Sequence, residues 1–173
     1  LELTLEHNLT LAEVDSIELF NIWVGSGMVD VPWRDAESPQ AMAQFCAPYN
    51  VVSVIKNRKF GPAEIDPETI ASDMEVDRAA RQVLIKSKEA WGEGYPGGQT
   101  VRITTNDGRV LVASFEPADL FNPDELTMQD IIDKYRSNMR YARVLPDGEV
   151  EQIISATLAL EDIDDITRLI KLM

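Results

Sequence analysis

The chain holds one histidine, His7, and one cysteine, Cys46. That pair cannot build a zinc site of ordinary Cys/His composition, and a Cys-His nucleophile would require the two to meet across the fold. A solvated His7 and a packed Cys46 are the expected states. No G-x-x-x-x-G-K-[ST] or G-x-S-x-G motif occurs, and the glycine-rich EGYPGG at 93–98 precedes a strand rather than a helix, so it reads as a loop. The acidic runs DLFNPDE and EDIDD lack the spacing and central glycine of a calcium loop. They read as solvated faces or helix-opening acids, and no metal or cofactor is expected.

Tyr49 and the cations Lys56, Arg58 and Lys59 remain, all within or just after the apolar run AMAQFCAPYNVVSV. A phenol can hydrogen-bond a carboxylate or carry a proton, and a buried one needs a partner. The cations follow a predicted helix, where they complement the negative end of its dipole. They also form a local positive patch near Tyr49 in a very acidic chain.

Sixteen Lys and Arg against thirty Asp and Glu leave a formal charge of -14. Such a surface repels a phosphate backbone, so nucleic acid is not an expected partner. No apolar run approaches the roughly 18 residues of a membrane span, and LELTLEHNLT lacks the features of a signal peptide. One cysteine allows no internal disulfide, consistent with a reducing, cytoplasmic setting. The chain opens on Leu1, Leu3 and Leu5, which read as the end of an apolar element, so a piece of a longer polypeptide is expected.

The elements that must position these residues follow from local signals. Thr10 and Glu13 have the spacing of a capping box and predict helical turns over 11–15, followed by a strand from Ser16 to Val24. Pro48 removes a helical hydrogen bond but suits a first turn, so the apolar run divides into helices Pro39 to Cys46 and Pro48 to Asn57. Asp66-Pro67-Glu68 opens another short helix, Asp77 to Arg81 adds a turn, and QVLIKSKE reads as a strand. QTVRITTNDGRVLVASFE is a hairpin about Asp107-Gly108. Thr127 and Asp130 open a helix whose apolar side is Met128, Ile131, Ile132, Tyr135 and Met139, and two further helices divide near Asp162. The fold class is α+β: a two-layer domain over 1–145 with a mainly antiparallel sheet, its first eight residues ending a preceding element, then C-terminal helices over 146–173.

In order and spacing, AMAQFCAPYNVVSVI, a DPE turn, YPGGQTVRITTNDGRV and FNPDELTMQDIIDKYRSNM resemble the C-terminal portion of the MmgE/PrpD family. That family includes 2-methylcitrate dehydratase, cis-aconitate decarboxylase and iminodisuccinate epimerase. The resemblance implies an α+β lid closing over a larger helical domain in a homodimeric enzyme that works on small di- and tricarboxylates without a cofactor. It implies that Tyr49 faces the cleft as a catalytic and substrate-binding residue, with Lys56 and Arg58 as further substrate contacts. The alternative for Tyr49 is a core tyrosine whose hydroxyl reaches a backbone carbonyl.

Cys46 stands where the family pattern has serine, and Asp119-Leu120-Phe121 replaces a small glycine-containing turn. The family's principal acid–base groups and its K-x-Y-P segment with a following His are absent. The chain alone is therefore expected to be inactive, a lid whose N-terminal helical domain supplies the chemistry. A lyase reaction is expected, dehydration or decarboxylation; isomerisation or epimerisation, or a non-catalytic ligand-binding or assembly module, are the alternatives. An enzyme piece should leave Ile153, Ile154, Leu158, Ile166, Leu169 and Ile170 uncovered on the C-terminal helices for the missing domain.

Overall fold

The computed structural model describes residues 1–22, 29–116 and 126–172. The chain divides into two compact units, Leu1–Phe121 and Asn122–Met173. In the first, a short helix α1 (Glu2–Glu6) and a 3-10 turn (Leu11–Glu13) lead into β1 (Val14–Phe20). The Thr10 and Glu13 capping box forms as expected, Glu13 accepting from the Thr10 N–H at 2.9 Å. Four helices follow: α2 (Pro39–Phe45), α3 (Ala47–Asn57), α4 (Pro67–Ser72) and α5 (Met74–Ala80). Three strands complete the unit: β2 (Leu84–Lys86), β3 (Gln99–Thr105) and β4 (Val110–Phe115). β1 stops at Phe20, short of the expected Val24: Asn21 adopts a left-handed φ of 56° that turns the chain out of the strand, and residues 23 and 24 lie outside the described residues.

The sheet order is β2-β1-β3-β4. The β1–β3 and β3–β4 pairs are antiparallel, whereas β2 lies parallel to β1, because the intervening helices return the chain to the same end of the sheet. The β3–β4 hairpin turns where the sequence predicts: Gly108 adopts φ 85° and its N–H reaches the Thr105 carbonyl at 2.9 Å.

Alternation along the strands decides what each face carries. Ile17, Leu19, Ile103 and Leu111 join Val52 and Ile55 of α3 and Val76 and Ala80 of α5 in one apolar core. The opposite face carries Glu18, Phe20, Lys86, Thr100 and Arg102, with Leu84, Val110 and Val112 exposed.

The second unit contains α6 (Met128–Ala142), α7 (Asp147–Leu158) and α8 (Thr167–Ile170). Asp130 caps α6 by accepting from the Thr127 N–H at 2.8 Å. Arg136 of α6 bridges to Glu151 of α7. Leu158, Ile166 and Ile170 are exposed, as expected of an enzyme piece, whereas Leu169 is half-buried. Ile153 and Ile154 are not exposed: with Val150 they recur at the helical spacing of one stripe, and that stripe is the buried side of α7.

Candidate functional site

Cys46 ends α2 and caps the start of α3, in extended backbone between the two helices. Its thiol donates to the Val31 carbonyl at 3.4 Å, and burial pushes its pKa up, which makes it a packing group rather than a nucleophile. Pro48 then sits in the first turn of α3, where no N–H is needed. Tyr49 follows directly.

The Tyr49 side chain is 2% exposed. Its hydroxyl donates to the Glu64 carbonyl at 2.7 Å, and its ring lies 4.6 Å from that of Trp33. Burial pushes the phenol up to about 12, with Asp73 and Glu64 adding to the shift. It is therefore a hydrogen-bond donor at neutral pH. Trp33 is anchored in turn through its Nε1, which donates to Asp77 at 2.8 Å.

Lys56 lies two turns further along α3, on the side of Tyr49. Its ammonium contacts Asp73 at 2.7 Å and Glu75 at 2.9 Å, and the hydrogen bond to Asp73 leads the causes that raise its pKa. Arg58 ends the helix in a left-handed conformation (φ 58°), which turns its side chain towards α1. There it donates to Asn8 Oδ1 at 2.8 Å and to the Thr4 carbonyl at 3.4 Å. Lys59 pairs with Glu64 at 3.3 Å. The structure thus gathers Tyr49 and Lys56 about Asp73 and directs Arg58 elsewhere. Each of the three already holds a partner within the domain.

A second cluster, which the sequence reading missed, occupies the opposite face of the sheet. Glu18 is bonded by Lys86 from β2 and by Arg102 from β3, both contacts being short. Burial opposes ionisation of Glu18, but the hydrogen bonds from Lys86 and Arg102 outweigh it and hold the carboxyl below its usual value. The Arg102 guanidinium lies 4.9 Å from the Phe20 ring and 4.7 Å from that of Trp91. Trp91 packs edge-on against Phe20 at 4.9 Å, and Tyr95 bonds the Gly98 carbonyl. Gly98 is required here: at φ 50°, a Cβ would stand 2.2 Å from the Phe115 carbonyl oxygen. One signal could have revealed the cluster, a glutamate inside the apolar run IELF at the end of β1.

On the helical side, an open cavity of about 560 Å³ lies between α1, α3 and the β3–β4 half of the sheet. Its lining, which includes Leu3, Val51, Val54, Val101 and Phe115, is mostly apolar.

Helices on one face of a mixed four-stranded sheet, with an aromatic and cationic cluster on the other, define an α+β domain with two chemically distinct sides. The profile of the MmgE/PrpD C-terminal domain matches residues 1–162, and the chain belongs to that family. No curated protein matches it closely enough to count as a relative. Among the described residues no helix is long and apolar enough to cross a membrane.

Proposed function

We propose that this domain is the lid of an MmgE/PrpD-type lyase that dehydrates or decarboxylates a small di- or tricarboxylate in the cytoplasm. The observation that carries this reading is the family match over residues 1–162. The acid–base groups belong to an N-terminal helical domain, and the whole enzyme is a homodimer. Tyr49 is the catalytic contact of the lid, with Lys56 as a substrate contact; Arg58 is a further substrate contact only on leaving Asn8 and the Thr4 carbonyl by α1. Because the phenol stays protonated at neutral pH, Tyr49 acts as a donor, exchanging the Glu64 carbonyl for a substrate carboxylate as the lid closes. Lys56 must likewise exchange Asp73 or Glu75 for substrate.

The engaged Tyr49 hydroxyl favours a second reading, in which Tyr49 is a core residue and the domain binds a ligand or assembles without catalysis. Turnover assays with 2-methylcitrate and cis-aconitate separate the two. The chain alone is expected to be inactive, and the chain assembled with a helical domain active. In that assembly Tyr49→Phe should lower kcat by roughly a hundredfold, the scale of one lost proton-transfer or donor group. Turnover by the isolated chain overturns the lid reading, and an unchanged kcat for Tyr49→Phe overturns the role of that residue.

A further inference from the structure

Three cations in the described residues each face two carboxylates. Lys56 faces Asp73 and Glu75, Arg81 faces Asp35 and Asp77, and Arg136 faces Asp133 and Glu151. At Glu18 the ratio is reversed: one carboxylate, 12% exposed at its side chain, lies between Lys86 at 34% and Arg102 at 28%. In a chain of net charge -14, this cluster of three side chains carries one surplus positive charge.

The donors left over on those cations are numerous. A guanidinium carries five N–H bonds, and Arg102 uses its Nε and Nη2 on one Glu18 oxygen. An ammonium carries three, and Lys86 uses one on the other oxygen. The geometry is held rather than floppy. Phe20 is fully buried beneath Arg102, and the Trp91 ring walls the guanidinium from the side. Pre-placed cations beside aromatic walls recognise carboxylates well, because the hydrogen bonds are charge-assisted and little side-chain freedom is lost on binding.

We propose that Lys86 and Arg102, with Trp91 as a wall, form a binding site for a small carboxylate anion on the face of the sheet opposite Tyr49. Glu18 is its internal counter-ion: it keeps the two cations in place and limits their affinity. The site stands apart from the lid reading, since it shares no residue with the Tyr49 side.

The test is calorimetric titration of the chain with citrate against sodium chloride at matched ionic strength, with folding checked by circular dichroism. Saturable binding at one site per chain is expected. Lys86→Met leaves Glu18 and Arg102 as a neutral pair, and should weaken citrate by about tenfold, the scale of one charge-assisted hydrogen bond. Glu18→Gln frees both cations and should tighten binding several-fold. Lys134→Met, which removes an exposed cation of α6 outside both groups, should bind citrate like the parent chain. Absence of saturable binding, a Lys86→Met variant that binds as tightly as the parent, or a folded Glu18→Gln variant that binds more weakly each overturns the proposal.

Discussion

The two faces of the sheet are finished by different physics. On the helical side, Ile17, Leu19 and Ile103 meet Val52 and Ile55 in an apolar layer, where shape and area do the stabilising. On the other side, Phe20 is equally buried, but it lies under a guanidinium and an indole, beside a carboxylate with two cationic partners. The apolar contacts of the first face are little altered by salt, whereas the ion pairs of the second depend on it. A domain can therefore be rigid through one face while presenting adjustable chemistry on the other.

The largest expected effect tests whether the open face bears structural weight. Phe20→Ala should destabilise by about 3–5 kcal/mol in urea unfolding, because it removes the floor beneath Arg102 and Trp91 as well as a buried ring. Ile55→Ala on the helical side should cost about 2–4 kcal/mol. Equal salt dependence of the two variants would break the comparison. Tyr49→Phe should cost about 1–2 kcal/mol through the unpaired Glu64 carbonyl. It should also change the alkaline limb of stability. The folded phenol titrates at about 12, above its unfolded value, so its contribution is complete below the unfolded value and is lost as pH rises to 12. That part of the alkaline decline should vanish in Tyr49→Phe.

Glu18 gives the opposite sign. Its folded pKa is lowered, so its contribution is present above the ordinary glutamate range and is lost as pH falls through the folded value. Unfolding measured between pH 6 and the acid range should show that loss in the parent chain and not in Glu18→Gln. Smallest of all, Lys56→Met should change stability by no more than about 1 kcal/mol, as expected for a pair of exposed ion contacts.

What the sequence made legible was local. The hairpin at Asp107-Gly108, the capping boxes of Thr10 and Thr127, and the helix restart at Pro48 each depend on residues within a few positions of one another, and all form. The parallel pairing of β2 was not legible, because register between β1 and β2 depends on the path of four intervening helices. The Glu18 cluster was hidden for the same reason: its partners lie 68 and 84 residues away. Tyr49 was legible as a residue needing a hydroxyl partner, and that partner proved to be a backbone carbonyl in the turn after α3. Of the cations, Lys56 and Lys59 are bound to acids and Arg58 to neutral oxygens, partners that only the tertiary fold supplies.

Strand order also sets a clock. Among the described residues β1 and β3 each have a strand on both sides, whereas β4 has one neighbour, so half of its backbone amides point away from the ladder. In deuterium, β1 and β3 should hold their protons longest, while β4 should show alternate fast and slow sites from Val110 to Phe115, a rhythm imposed by hydrogen-bonding geometry rather than by composition.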